Sequence, residues 1–407
     1  MPTQPTIAMI PSGYGLEKIY SVLPTNGDAD LQFSRGSVAT RVDKSGLISN
    51  VQSNFPRLDY LNSTCPSLLL EPQRTNLLTY SNDFAGSTYN KNSFACLANQ
   101  SISPEGLNNA SLIYQTANGD RDFYVDTPNR IDVFSVYAKS AGKDFFVIFS
   151  KAGTNPAWYN LANGTLGTVP SGTTATITPV GNGWYRLTYY RNVSGVFQFF
   201  KPIDSNGSAI GIASGTDGAL IYGAQLESGS FATSYIPTTG TSVTRNAETA
   251  SKTGVDAYIN DSEGVLFVEI SNSETTNGSY LGISNGGTSE RLIIGNEGGF
   301  LRVYTDVNVD GNVQSANTDF NKIAVKYNSS NTSIYYNGFL IKSINQSANL
   351  SGISALKFTS GGIAQSFYGK IKDLRVYNTA LTDSELETLV SYTSFNAMAL
   401  NFNYTIY

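Results

Sequence analysis

Histidine is absent from all 407 residues, and that absence excludes more chemistry than any motif in the chain. Without an imidazole, no Ser-His-Asp or Cys-His arrangement can activate a nucleophile. Histidine-ligated zinc sites and histidine pH switches are excluded as well. The two cysteines, Cys65 and Cys96, are too few for a disulfide framework or an all-thiolate metal site, and fit either a reducing compartment or two small buried apolar residues. Charge is sparse, at 14% against roughly 25% in an average soluble domain. The net charge of -5 and the lack of any basic run argue against a nucleic-acid partner, which needs clustered cations. No uninterrupted apolar stretch approaches the roughly 18 residues of a spanning helix. The N-terminal MPTQPTIAMIPSGYG has neither a basic start nor an apolar h-region, so it is not a signal peptide. The expectation is synthesis in a host cytoplasm with no membrane insertion.

Aromatics (12%, with 25 Tyr and 21 Phe) and 38 glycines describe a turn-rich, all-β protein. At roughly 150 residues per domain the length predicts two or three domains, enough to bury cores without disulfide or metal staples. Residues 1–75 are short extended runs broken by prolines and turn signals, an irregular segment that must pack on something else. Residues 76–245 carry strand-like runs such as Val133–Ala138, Asp144–Phe149, Gly183–Tyr190 and Ala219–Leu226. Alternation over Trp184–Tyr190 turns a mixed face of Trp184, Arg186, Thr188 and Tyr190 outward and an apolar face of Tyr185, Leu187 and Tyr189 inward, with Trp184 read as structural. The polar stretch Pro237–Gly254 is the predicted boundary. Beyond it, over 246–407, come Val265–Ile270, Lys322–Tyr327 and Ser333–Tyr336, with Asn337-Gly338 as a tight turn. One helix is predicted, opened by the capping box Thr382-Asp-Ser-Glu385. The predicted fold is an irregular N-terminal segment, two β-sandwich (jelly-roll) domains and one short C-terminal helix.

Two resemblances rest on these residues. Phe367–Leu389, with Lys322–Tyr327 and Ile334-Tyr-Tyr-Asn-Gly-Phe339, resembles the closing strand, capped turn and central hairpin of concanavalin A-like, laminin-G-like domains. That resemblance implies a jelly roll but not a function, since the fold serves lectins, enzymes and spacers. The segments Ile10–Tyr14, Phe33–Val42, Ser45–Ile48, Pro56–Tyr60 and Leu68–Leu78 are similar to bacteriophage virion fibre and tail proteins. The module ending in Gly223–Pro237 resembles the carbohydrate-binding-module-like jelly rolls of those proteins. These likenesses imply a particle component of head or tail, as a fibre or decoration protein. Its expected partners are other virion proteins, further copies of itself (a trimer is favoured) and host-surface glycan.

Three candidate sites follow. Trp158 and Tyr159, after Gly153-Thr-Asn-Pro156, present aromatic faces for sugar stacking if they lie in a loop, and core side chains if they begin a strand. Asp306, Asn308 and Asp310 match the first half of a calcium loop. Asn317 stands where the bidentate Glu belongs, so a hairpin turn at Asp310-Gly311 is the plainer reading. Calcium is the one cofactor considered. Arg35, Arg41, Arg57 and Arg74 read as assembly contacts or as intrachain partners of Asp28, Asp30, Asp59 and Glu71. Glu227, Glu263, Glu269 and Glu297 form no recognisable acid/base pair. A non-enzymatic virion structural protein presenting glycan-adhesive domains is therefore expected. The alternatives are a polysaccharide depolymerase and a purely structural capsid protein.

Overall fold

The computed structural model describes residues 3–150, 155–193, 195–273, 278–305, 320–348, 350–361 and 365–392. Among these residues it is all-β with one short α-helix near the C-terminal end, as expected, but the N-terminal strands have different sheet partners than expected.

The N-terminal segment is not a separate attachment piece. Ile7–Met9 pairs with Gly369–Tyr377, and Arg57–Asp59 and Ser67–Leu70 continue the same sheet beyond it. That eight-stranded sheet also holds Gly264–Asn272, Asn321–Tyr327, Thr332–Tyr336 and Phe339–Ile344. Facing it is a second eight-stranded sheet, in which Tyr14–Gly15, Lys18–Ile19 and Leu31–Ser34 lead into Thr249–Thr253, then Ala355–Lys357, Ser279–Ser284, Arg291–Glu297 and Phe300–Tyr304. One apolar cluster fills the space between. It joins Ile7, Met9, Leu31, Phe33, Leu68 and Leu70 to Leu266, Val268, Leu281, Ile283, Val325 and Leu374. Burying each large apolar side chain contributes about 1.5–3 kcal/mol. The six N-terminal side chains just named together contribute about 9–18 kcal/mol, as much as the whole net stability of a domain at about 5–15 kcal/mol. The described residues of 3–75 and 246–392 therefore form one composite sandwich.

The second sandwich is inserted into the first. One of its sheets runs Tyr89–Asn92, Asp122–Arg130, Gly195–Ile203, Phe145–Ser150, Ala157–Asn160, Thr165–Leu166. The other runs Phe94–Ile102, Asn108–Gln115, Gly218–Ser228, Asp132–Ala141, Tyr185–Arg191, Thr173–Pro179. Phe123, Phe134, Phe146, Ile148, Tyr159, Leu187 and Phe200 pack its core. The chain enters along Arg74–Asn76 and leaves along Val243–Arg245, and these two strands pair antiparallel as a neck. The predicted boundary stretch thus holds a neck strand and, from Thr249, a core strand of the composite sandwich. Most of the stretch is solvent-exposed, which accounts for its polar composition, but Thr238, Arg245 and Glu248 within it are buried.

Local predictions hold where short-range chemistry decides. The hairpin Thr332–Tyr336 to Phe339–Ile344 turns on Asn337 (φ 47°) and Gly338 (φ 98°), conformations that this residue pair adopts readily. The helix Asp383–Val390 starts at a complete capping box, in which Thr382 and Glu385 satisfy each other's backbone N–H groups. Leu386 and Val390 seal it against Val265, Phe267 and Tyr335.

A fragment test follows from the interleaving. Residues 76–245 alone are expected to unfold in one cooperative urea transition, and residues 246–407 alone to show none. A cooperative transition of the second fragment would mean that the N-terminal strands are accessory.

Candidate functional site

Where neck, N-terminal segment and inserted sandwich meet, five charged side chains are buried together. Glu248 takes Arg35 Nη1 at 2.7 Å and Arg57 Nε at 2.8 Å, while Arg57 Nη2 donates to its second oxygen. Glu71 sits 2.8 Å from both Arg57 Nη2 and Arg245 Nη1. Backbone groups finish the cluster. Glu71 N–H donates to Glu248 Oε2 (2.9 Å), and Arg35 donates to the carbonyls of Ser37, Val51, Gln52 and Phe55. Arg245 reaches Pro72 O at 2.7 Å, and Ser234 donates twice to Glu71.

Burial opposes every one of these charges, and the partners decide the outcome. The Arg57 charge is disfavoured by burial, but Glu248 and Glu71 outweigh it and hold its pKa above the ordinary arginine value. Burial likewise opposes ionised Glu71, yet Arg245, Arg57 and Ser234 keep its pKa well below the ordinary glutamate range. For Arg35 and Arg245 burial prevails, and their values fall.

Beside this cluster a cleft of about 230 Å³ opens between the two sandwiches. Its far wall is the outward face of Thr173–Pro179 and Tyr185–Arg191, carrying Thr176, Thr178, Arg186 and Thr188. Its near wall is the hairpin Ala39–Val42/Ile48–Val51 with Asp59, Leu69 and Lys370, and its floor is Ala232–Tyr235 with Tyr137. Arg186 lies 5.5 Å from the Tyr137 ring centroid and donates through Nη2 to Thr233 O (2.5 Å) and Ser135 Oγ (3.0 Å). Thr40 donates to Tyr235 O at 2.5 Å, tying hairpin to floor. Thr176 and Thr188 share a hydrogen bond of 2.6 Å on the opposite wall. Lys370 is 2.7 Å from Asp59. The walls thus offer hydroxyls that donate and accept, together with fixed cations, a set suited to a polyhydroxylated ligand.

The residues singled out from sequence fall elsewhere, with one exception. Trp158 and Tyr159 lie in strand Ala157–Asn160, at 7% and 0% exposure. The Trp158 indole donates to Ser208 O (3.0 Å) and the Tyr159 hydroxyl to Thr188 O (2.6 Å), so neither ring is a sugar platform. Trp184 is buried, with its indole N–H on Ile102 O. Arg35 and Arg57 are interior and ion-paired, not assembly contacts. Their partner Glu248 lay in the stretch read as a boundary. Arg74 is half-buried with its guanidinium 5.0 Å from the Phe231 ring centroid. Arg41 alone lines the cleft. Asp306, Asn308 and Asp310 lie outside the described residues. Of the scattered glutamates, Glu227 is buried and held by Thr233, Glu263 accepts from the Ala380 N–H, and Glu297 accepts from Tyr280 and Tyr304.

Two expectations test the cluster. Glu248→Gln leaves buried guanidiniums undercompensated and is expected to cost about 3–5 kcal/mol in urea unfolding of the full chain; a cost within experimental error would contradict its assigned role. Because the Glu71 pKa is depressed in the fold, the unfolded chain binds the extra proton as pH falls. Stability is expected to be fully present above the ordinary glutamate value of 4.5 and to decline below it, with a shallower decline in Glu71→Gln.

Comparison with known proteins bears on the composite sandwich. Residues 231–387 match the family described as the concanavalin A-like lectin/glucanases superfamily. No curated protein matches the chain. Among solved structures, the CBM40 of Ruminococcus gnavus IT-sialidase bound to alpha2,3 sialyllactose is similar at 17% identity and a TM-score of 0.26, covering 32% of this chain and 84% of that one. Mouse laminin alpha1 domains LG4-5 are similar at 9% identity and a TM-score of 0.21, covering 76% of this chain and 93% of that one. Trypanosoma rangeli sialidase is similar at 10% identity and a TM-score of 0.30, covering 96% and 69% respectively. The chain contains a concanavalin A-like domain, whose two sheets are completed by strands from the first 75 residues.

Proposed function

We propose that this chain is a non-enzymatic glycan-binding protein carried on the surface of a bacteriophage particle, with the inter-sandwich cleft as its binding site. The observation that carries the binding reading is the state of the cleft's two carboxylates. Asp59 is paired with Lys370, and Glu71 with Arg57 and Arg245. A glycosidase needs one carboxyl whose pKa is raised so that it can donate a proton. Glu71 is shifted the other way. Around these spent groups the cleft presents hydroxyls and cations, the chemistry of recognition rather than of proton transfer.

The virion reading draws support from the N-terminal motifs similar to phage fibre and tail proteins. Several of those motifs supply the buried cluster. Arg35 comes from Phe33–Val42, Arg57 from Pro56–Tyr60, and Glu71 from Leu68–Leu78. In this reading the motifs build the rigid body, and other virion proteins and further copies of the chain meet its outer surfaces. No cofactor enters the proposal.

The test uses the full chain and purified host-surface polysaccharide. Retention on the polysaccharide without release of new reducing ends is expected, together with protein density on the outside of imaged particles. Release of reducing ends that a Glu71→Gln or Asp59→Asn change abolishes would replace this reading with the depolymerase. An absence of retention would refute binding.

A further inference from the structure

Resting on that glycan-binding reading, we infer that the cleft selects an acidic saccharide, a sugar residue carrying a carboxylate or sulfate group. Five charged residues line it, namely Arg41, Asp59, Glu71, Arg186 and Lys370. Asp59 and Lys370 cancel at 2.7 Å. Glu71 is spent on Arg57 and Arg245, which do not themselves line the cleft. What remains is Arg41 and Arg186. Among the described residues neither enters an ion pair.

Their hydrogen bonds go to neutral oxygens. Arg41 Nη1 donates to Leu58 O at 3.2 Å, and Arg186 Nη2 to Thr233 O and Ser135 Oγ. Those bonds position the guanidiniums without neutralising them. Two uncompensated cations facing one cleft, in a chain of net charge -5, form a local field of the opposite sign to the molecule as a whole. A guanidinium fork matches the paired oxygens of an acid group, and the surrounding threonine hydroxyls match sugar hydroxyls. At about 230 Å³ the space falls below the roughly 300–1,000 Å³ of drug-sized pockets, so it takes a single sugar residue with the rest of the chain outside.

The test measures binding of the full chain to oligogalacturonate, a sulfated galactan oligosaccharide and a neutral galacto-oligosaccharide of equal length, at low and high salt. The variants are Arg41→Gln, Arg186→Gln and Thr176→Glu. Thr176 is exposed on the cleft wall, so its change adds a repelling charge where no packing is lost. One or both acidic ligands are expected to bind, weakening as salt rises. Each arginine variant is expected to lower their affinity about tenfold or more, as loss of a charge-assisted hydrogen bond does, and Thr176→Glu to lower it by charge repulsion. Which acidic arm binds distinguishes carboxylate from sulfate. Equal binding of the neutral ligand, or acidic binding untouched by Thr176→Glu in a protein of unchanged unfolding midpoint, would overturn the charge selection and leave glycan binding standing. If none of the three ligands binds, both inferences fall.

Discussion

Three guanidiniums and two carboxylates buried in one knot hold this molecule in its shape. Arg35, Arg57 and Glu71 come from the N-terminal segment, Arg245 from the return strand of the neck, and Glu248 from the residues that link it to Thr249–Thr253. Buried ion pairs are seldom a net gain over well-packed apolar groups, because desolvation costs as much as the pairing returns. What such a knot supplies is intolerance of any other arrangement. Slide the N-terminal segment out of register and several charges are left buried without partners, each a penalty of several kcal/mol. Apolar packing makes the composite sandwich stable, and the knot makes it single-valued.

That division of labour reaches the cleft. Glu71 and Ser234 belong both to the knot and to the cleft lining, and Thr233 joins Arg186, Arg245 and Glu227. The cleft is therefore shaped by groups already committed to interior bonds. A site between two modules would ordinarily change as the modules rock. Here the antiparallel neck, the knot and the aromatic packing of Tyr137, Tyr222 and Tyr235 with Ile48 oppose that motion. Preorganisation of this kind lowers the entropic cost of binding a flexible ligand.

Much of the architecture was legible in local sequence, because strands, tight turns and helix caps are decided within a few residues. Thr382 and Glu385 announced the helix, Asn337 and Gly338 the hairpin, and the alternation around Leu187 and Tyr189 a half-buried strand that turns Arg186 and Thr188 outward. The ownership of the N-terminal strands was not legible. Leu31, Phe33, Leu68 and Leu70 show that a segment is buried, but nothing local states that its partners lie some 200 to 300 residues later. Glu248 is not legible in sequence, because a buried carboxylate in a polar stretch looks like a solvated one until its arginines are placed around it. The cleft shares that difficulty: Arg41, Arg186 and Lys370 become neighbours only when the inserted sandwich docks. For Trp158 the sequence leaves two readings open, since Gly153-Thr-Asn-Pro156 suggests a loop, and the strand that follows carries the ring inward, as the core alternative has it.

Native-state hydrogen exchange, read segment by segment in the full chain, tests most directly whether the two ends of the sequence form one body. Amides of Leu31–Ser34 and Ser67–Leu70 should be protected as strongly as those of Gly264–Asn272 and Gly369–Tyr377, and all four should lose protection together as urea is added. Rapid, independent exchange of the N-terminal strands, with the C-terminal strands still protected, would contradict the composite sandwich and with it the knot that closes it.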